Sequence, residues 1–264
     1  MIQKQAAVCA ILLTVSSAFC GTAFAAPLQG TEKAAVSAES ALHVDSSRWN
    51  YDKDNDIYYQ IGLVYCKNPA ASEYESLSVY VPGAYMKGTP NADGTYTCQI
   101  SDKGKVGEYT ARTAPVIMPV NTGGYAAQKA PSSYAPKGLN TYLSQGFVYV
   151  FAGCRGRDNG TNPDGTAFDG GAPWGVTDLK AAVRYLRYND SFLPGNKDRI
   201  FTFGHSGGGA QSALMGATGD SELYRLYLDS IGALMKDDQG RELSDAIDGA
   251  MAWCPITNLT QADL

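Results

Sequence analysis

The run Gly204-His205-Ser206-Gly207-Gly208 is where residue types and spacing in this 264-residue chain point most directly to covalent chemistry. It fits G-x-S-x-G, in which a serine sits on a turn too tight for its neighbours to carry side chains. The context matches. The β-branched and aromatic stretch Arg199–Phe203 precedes it, and small residues of helical character follow over 207–217. Ser206 is therefore the candidate nucleophile for acyl transfer. The next amide, that of Gly207, opens the helix and is aimed at the oxygen on which negative charge develops, so Gly207 is a candidate oxyanion donor. The competing reading is a glycine-rich strand-to-helix turn with an idle serine.

Two more loops belong beside it. Asn121-Thr122-Gly123-Gly124-Tyr125 follows the short apolar strand Pro115–Val120. Its glycines let a backbone amide approach the same oxygen, making Gly123 or Gly124 the second candidate donor, against a plain β-turn. Gly153–Asp158 follows the strand Gly146–Ala152 and carries Arg155 and Arg157. Ligands of open α/β sheets bind at that end of the strands. Either arginine is a candidate contact for an acidic or phenolic substrate; the alternative is that they tie loops together. The expected base is missing. The chain has two histidines: His43 precedes the sheet, and His205 adjoins the serine on a turn where neighbouring side chains diverge. With this elbow the chain order is serine, then acid, then histidine. The expectation is that residues up to Leu264 form the N-terminal portion of a longer enzyme, inactive alone. No cysteine or histidine cluster suggests a metal, and serine chemistry needs no cofactor.

The elements that must position these residues alternate in type. Ile57–Tyr65 and Tyr74–Val81 read as an antiparallel strand pair around a turn at Lys67–Ala70, and 83–112 as a surface insertion with a hairpin. Pro115–Val120, Gly146–Ala152, Arg199–Phe203 and Ile247–Trp253 read as core strands. Val176, Leu179, Val183 and Leu186 recur at helical spacing, which predicts a helix over 177–189 with Thr177 as N-cap and Asp178 in the first turn. Leu223, Leu226, Ile231 and Leu234 predict another. Strands separated by helices imply a mostly parallel α/β sheet covered on both faces.

Composition sets the class. With 44% hydrophobic and 18% charged residues the chain is globular, and a net charge of −5 without basic runs excludes a nucleic-acid binder. Lys4, the apolar stretch Ala6–Phe19 and Ala23-Phe24-Ala25 predict a cleaved signal peptide over 1–25, hence a secreted or periplasmic protein. Residues 26–54 read as a partly ordered leader and 55–264 as the catalytic domain. No apolar stretch beyond the N-terminus is long enough to span a bilayer.

The elbow continuing to Gly216-Ala217-Thr218-Gly219, the loop Gly153–Arg157, the run Asp178–Tyr185 and Cys254-Pro255-Ile256-Thr257-Asn258-Leu259 together resemble the bacterial subtype B tannases and their feruloyl-esterase-like relatives, over about residues 55–264. The resemblance implies an α/β-hydrolase fold, truncated before its last strands, and hydrolysis of galloyl or related phenolic-acid esters, with a small-molecule ester as substrate. It carries over Ser206 as nucleophile and Gly207 as oxyanion donor. Asn121-Thr122 and His205 depart from the family pattern. The family's strand order separates Cys154 from Cys254 by more than a disulfide spans, leaving Cys66–Cys98 as the pairing if one forms. A general carboxylesterase, a serine peptidase of the same fold and a non-catalytic binding protein are the alternatives.

Overall fold

The computed structural model describes residues 42–157 and 171–258. Its main sheet has seven strands in the order β1-β2-β3-β9-β8-β10-β11. These are β1 (Asn50–Asp52), β2 (Ile57–Val64), β3 (Ser76–Pro82), β8 (Pro115–Val120), β9 (Val148–Ala152), β10 (Asn196–His205) and β11 (Gly249–Trp253). β2 is antiparallel to both β1 and β3, and β3 is antiparallel to β9. From β9 through β8 and β10 to β11 every pairing is parallel. The parallel half needs crossovers, and the chain supplies helices for them: α1 (Asn140–Leu143), α2 (Trp174–Tyr188) and α3 (Gly207–Ala217), with a short α4 (Arg225–Ser230) after α3.

Both faces of the sheet are used, as the pleat of β9 makes plain. Val148, Val150 and Ala152 join the large core with Leu179, Val183 and Leu186 of α2. Tyr149 and Phe151, pointing the other way, pack with Leu139 and Leu143 around α1. All residues of β3 and β8 are buried, which is why these strands carry near-continuous apolar runs.

Several boundaries differ from those expected. The described part of the leader belongs to the domain: Leu42, Val44 and Trp49 are core residues, and β1 pairs with β2. The Asn189 side chain holds this segment by accepting from the Val44 amide (2.8 Å) and donating to the Leu42 carbonyl (3.1 Å). The 83–112 insertion forms two hairpins, β4 (Met86–Pro90) with β5 (Tyr96–Ile100) and β6 (Lys105–Val106) with β7 (Tyr109–Thr110). Thr177 is not a cap: α2 starts three residues earlier, and Thr177 donates its hydroxyl back to the Pro173 carbonyl. The helix predicted from Leu223 to Leu234 shrinks to one 3-10 turn, Glu222–Tyr224, and α4, with Leu223 and Leu226 82% and 81% exposed. Tyr224 and Leu228 face the core instead, so the apolar spacing was not a helix face. Cys66, Cys98, Cys154 and Cys254 are all free thiols, and no Cys66–Cys98 bridge exists. Cys66 lies against Ala233 and Glu75, whereas Cys98 sits in the β4–β5 hairpin, held to Ser46. The signal segment 1–25 lies outside the described residues, among which no helix is long and apolar enough to cross a membrane.

One polar cluster fixes β11 in place. Lys180 and Arg184, one turn apart on α2, both bond Asp245 (2.6 and 2.5 Å). Arg187, on the same stripe, donates to the carbonyls of Ser244 and Ala246. Together they hold 243–246 just before the chain enters β11, whose far end supports the elbow.

Candidate active site

Ser206 stands between the last residue of β10 and the first of α3 with φ 58° and ψ −120°. A non-glycine residue there costs on the order of 1–3 kcal/mol, so its surroundings must hold it. Its amide donates to the Trp253 carbonyl of β11 at 2.9 Å, and its carbonyl accepts from the Ala210 amide at 3.0 Å. The glycines are explained by backbone crowding. A Cβ on Gly208 would lie 2.0 Å from the Val120 carbonyl oxygen, one on Gly204 2.5 Å from that same oxygen, and one on Gly207 2.4 Å from the Thr122 oxygen. Gly209 meets the Trp253 oxygen in the same way, at 2.7 Å. The elbow is thus wedged between the end of β8 and the end of β11.

The glycine loop closes against it. Gly123–Tyr125 forms a 3-10 turn with Gly124 in the left-handed region at φ 61°. The Tyr125 nitrogen lies 2.6 Å and the Gly124 nitrogen 3.2 Å from where a Gly207 side chain would begin, and no Gly123 atom is among the three nearest to that point. Of the two candidate donors, Gly124 is the one beside the elbow. Neither the Gly124 nor the Gly207 amide donates to any acceptor among the described residues. Thr122, at the position that departs from the family pattern, is buried and donates its hydroxyl to Gln211 Oε1 (2.7 Å), tying the loop to α3. Gln128 is a second tie. It accepts from the Asn121 amide and donates to the Pro119 and Ala152 carbonyls, locking the ends of β8 and β9 together. The Tyr125 hydroxyl donates to the Ile256 carbonyl beyond β11. Sequence reasoning missed Gln128 and Gln211, because a lone glutamine carries no pattern.

The two arginines separate. Arg155 is 2% exposed, and its substrate contact is corrected by the structure. Its amide and Nε both donate to Asp178 Oδ2 (2.8 Å each) and Nη2 donates to Oδ1 (2.7 Å). Glu75 lies 3.5 Å away and the Trp174 ring lies 4.1 Å from the guanidinium. The guanidinium is enclosed by these partners and ties loop to helix. Burial and the neighbouring Asp178 push the Glu75 carboxyl up to about 7, against the opposing pull of Arg155. Burial also raises Asp178, again opposed by Arg155. Arg157, in contrast, is exposed at the mouth of a cleft of about 570 Å3 lined also by Gly124, Gln211, Leu214, Tyr224 and Ile256.

Neither histidine faces Ser206 as a base. His43 bonds the Tyr188 hydroxyl (2.9 Å) and lies 3.2 Å from Asp238. Tyr188 is the last residue of α2. His205 is the exposed last residue of β10, paired with Trp253. The buried thiols offer no alternative nucleophile, since burial raises Cys66, Cys98 and Cys154.

Residues 106–264 match the BD-FAE family. The chain belongs to that family. Its sheet and elbow are those of an α/β-hydrolase of the tannase and feruloyl-esterase-like group, as the sequence resemblance implied. The tannase of Fusobacterium nucleatum superposes with a TM-score of 0.68 at 33% identity, covering 84% of this chain and 44% of that one. A tannin acyl hydrolase in complex with ethyl gallate gives 0.63 at 36% identity, covering 78% and 41%. Another, in complex with 3,4-dihydroxybenzoate, gives 0.65 at 32%, covering 85% and 47%. The chain spans less than half the length of these relatives. No match was found among curated proteins.

Proposed function

We propose that this BD-FAE chain carries the nucleophile half of a secreted serine esterase acting on galloyl or related phenolic-acid esters. The observation that carries the proposal is Ser206 held at φ 58° beside the acceptor-free amides of Gly207 and Gly124. Ser206 Oγ attacks the acyl carbonyl as a base takes its proton. The two amides hold the oxyanion of the tetrahedral intermediate. The intermediate collapses to an acyl-serine as the alcohol leaves with that proton, and water then releases the acid. An amide would satisfy the same geometry. The ester preference draws on the family and on the ethyl gallate and dihydroxybenzoate held by its relatives. Since neither His43 nor His205 faces the serine, the 264 residues alone are expected to give no turnover above a Ser206→Ala control. That histidine deficit is also what favours a non-catalytic binding protein.

The experiment uses the protein as its gene encodes it, with methyl gallate, methyl ferulate, p-nitrophenyl acetate and a peptide amide as substrates. The highest kcat/KM for methyl gallate is expected, with Ser206→Ala lower by several orders of magnitude because nucleophile and base act as a unit. Preference for the ferulate moves the substrate to the feruloyl relatives. Turnover of the amide alone, or none that depends on Ser206, overturns the proposal. Mass spectrometry of exported material checks secretion, with a mature N-terminus at Ala26 or Pro27 expected.

A further inference from the structure

The two candidate oxyanion amides sit on segments far apart in the chain, so something must hold them in one geometry. Gly207 opens α3. Gly124 lies in the 3-10 turn Gly123–Tyr125, where Gly124 and Tyr125 both have φ 61°. Two successive left-handed residues, one of them a tyrosine, keep that shape only when their surroundings impose it. Part of the turn is fastened from within and from behind. The Tyr125 amide donates to the Thr122 carbonyl (2.9 Å), the Ala126 amide to the Gly123 carbonyl (3.2 Å) and the Arg157 amide to the Tyr125 carbonyl (3.0 Å). None of these three bonds reaches α3.

Thr122 does reach it. This residue immediately precedes the turn, and its carbonyl oxygen lies 2.4 Å from where a Gly207 side chain would begin. A threonine in this position commonly folds its hydroxyl back onto the amide two residues on, which here is that of Gly124. The Thr122 hydroxyl makes no such cap. It crosses to α3 and donates to Gln211 Oε1 at 2.7 Å, joining residues 89 apart in sequence. Thr122 is fully buried, and Gln211 is 5% exposed, one helical turn beyond Gly207. One buried hydrogen bond thus fastens the glycine turn to the elbow helix and draws the hydroxyl away from the Gly124 amide.

We infer that the Thr122–Gln211 hydrogen bond sets the oxyanion hole, with Thr122 a positioning residue that fixes where the Gly124 amide stands relative to Ser206 and Gly207. The inference rests on the esterase reading. Thr122 is enclosed by protein, so it acts on the reaction through the turn it holds. Losing an oxyanion donor costs on the order of 10²–10³ in rate, and a misplacement of about 1 Å costs on the order of 10². A loosened turn is therefore expected to cost about ten- to hundredfold. The loss falls on kcat, because the amide serves the tetrahedral intermediate and not the ground-state ester.

The test measures kcat and KM for the parent's best ester substrate, in the protein as its gene encodes it and well below each variant's unfolding temperature. Thr122→Val keeps the shape and removes the donor. It is expected to lower kcat about ten- to hundredfold with KM within about twofold of the parent. Thr122→Ser keeps the hydroxyl and restores most of the rate. Gln211→Met removes the acceptor and lowers kcat by a similar factor. The double variant is no slower than the slower single one, because both changes remove the same bond. Calorimetric titration with phenylboronic acid, which forms a tetrahedral adduct on a nucleophilic serine, should weaken in Thr122→Val by about the factor lost in kcat. An unchanged kcat in Thr122→Val, a rise in KM alone, Thr122→Ser as slow as Thr122→Val, or additive losses in the double variant each overturn the inference. If Thr122→Val does not fold, Gln211→Met and Thr122→Ser carry the same test. A parent without Ser206-dependent turnover removes the esterase and this inference together, whereas an active parent beside an equally active Thr122→Val removes the inference alone.

Discussion

Replacing Glu75 with Gln should remove a pH dependence from the folding stability. Glu75 and Asp178 are both fully buried and share one guanidinium, that of Arg155. Asp178 holds it at 2.7 Å and Glu75 stands back at 3.5 Å. Also facing Glu75 are the Cys66 thiol, 3.9 Å from Oε1, the Ala71 amide, which donates to Oε2 at 2.7 Å, and the Ala70 amide. One cation cannot neutralise two buried carboxylates, and Glu75 is pushed from 4.5 up to about 7. The folded protein therefore binds a proton that the unfolded chain has already released. Stability from this group is fully present below pH 4.5 and is lost as pH rises to about 7, above which it stays lost. A shift of this size corresponds to about 3 kcal/mol, and to roughly 6–12 °C in Tm for a domain of this length. Urea unfolding followed by tryptophan fluorescence at pH 5 and pH 8, for wild type and Glu75→Gln, measures it. The difference between the two proteins should move by about 2.5 kcal/mol in favour of glutamine between those pH values. Parallel pH profiles would mean that Glu75 stays ionised in the fold, and the one-cation, two-carboxylate account would fail.

Three other outcomes follow from packing. Asp245→Ala leaves the fully buried Lys180 ammonium without its carboxylate and should cost about 3–5 kcal/mol in urea unfolding, so a loss below about 1 kcal/mol refutes the clamp. Gly208→Ala places a methyl 2.0 Å from the Val120 oxygen and should yield little folded protein, while Gly123→Ala, with nothing within 4 Å, should unfold within about 0.5 kcal/mol of wild type. Normal folding of Gly208→Ala contradicts the wedged elbow. Alkylation of the denatured, unreduced protein followed by peptide mapping should find cysteines 66, 98, 154 and 254 each alkylated, with Cys254 the first of the four to react in the native state. A disulfide-linked pair in tandem mass spectrometry contradicts this.

The legible parts were those whose physics is local. Ser206 was recognisable because a strand, a strained turn and a helix in immediate succession leave G-x-S-x-G in a window of five residues. The helix at 207–217 came out with its observed ends. The strands β8, β9 and β10 were visible as short apolar runs, and alternating strands and helices implied the parallel half of the sheet. The glycine pair at 123–124 was readable as a loop that lets an amide approach, but not which glycine serves. That depends on how the turn closes on Gly207 across the end of β8.

The elbow, the alternation of elements and, through several motifs together, the family are written in the order of the residues. Which side chains become partners is not. Arg155 and Asp178 are 23 residues apart, and nothing near either one says that they form a buried pair while Arg157, two residues on, is left open to the cleft. Val44 finds Asn189 across 145 residues, turning an aperiodic leader into core. Leu223 and Leu226 have a helix-like spacing yet lie in solvent, since the core beneath them was filled by Tyr224 and Leu228. Cys66 and Cys98 stay unpaired because the fold carries them to different neighbours. Backbone preference and turn strain are set by adjacent residues, and so can be read in one dimension. Burial and pairing depend on which distant surfaces meet, and the chain makes that choice only when the sheet closes.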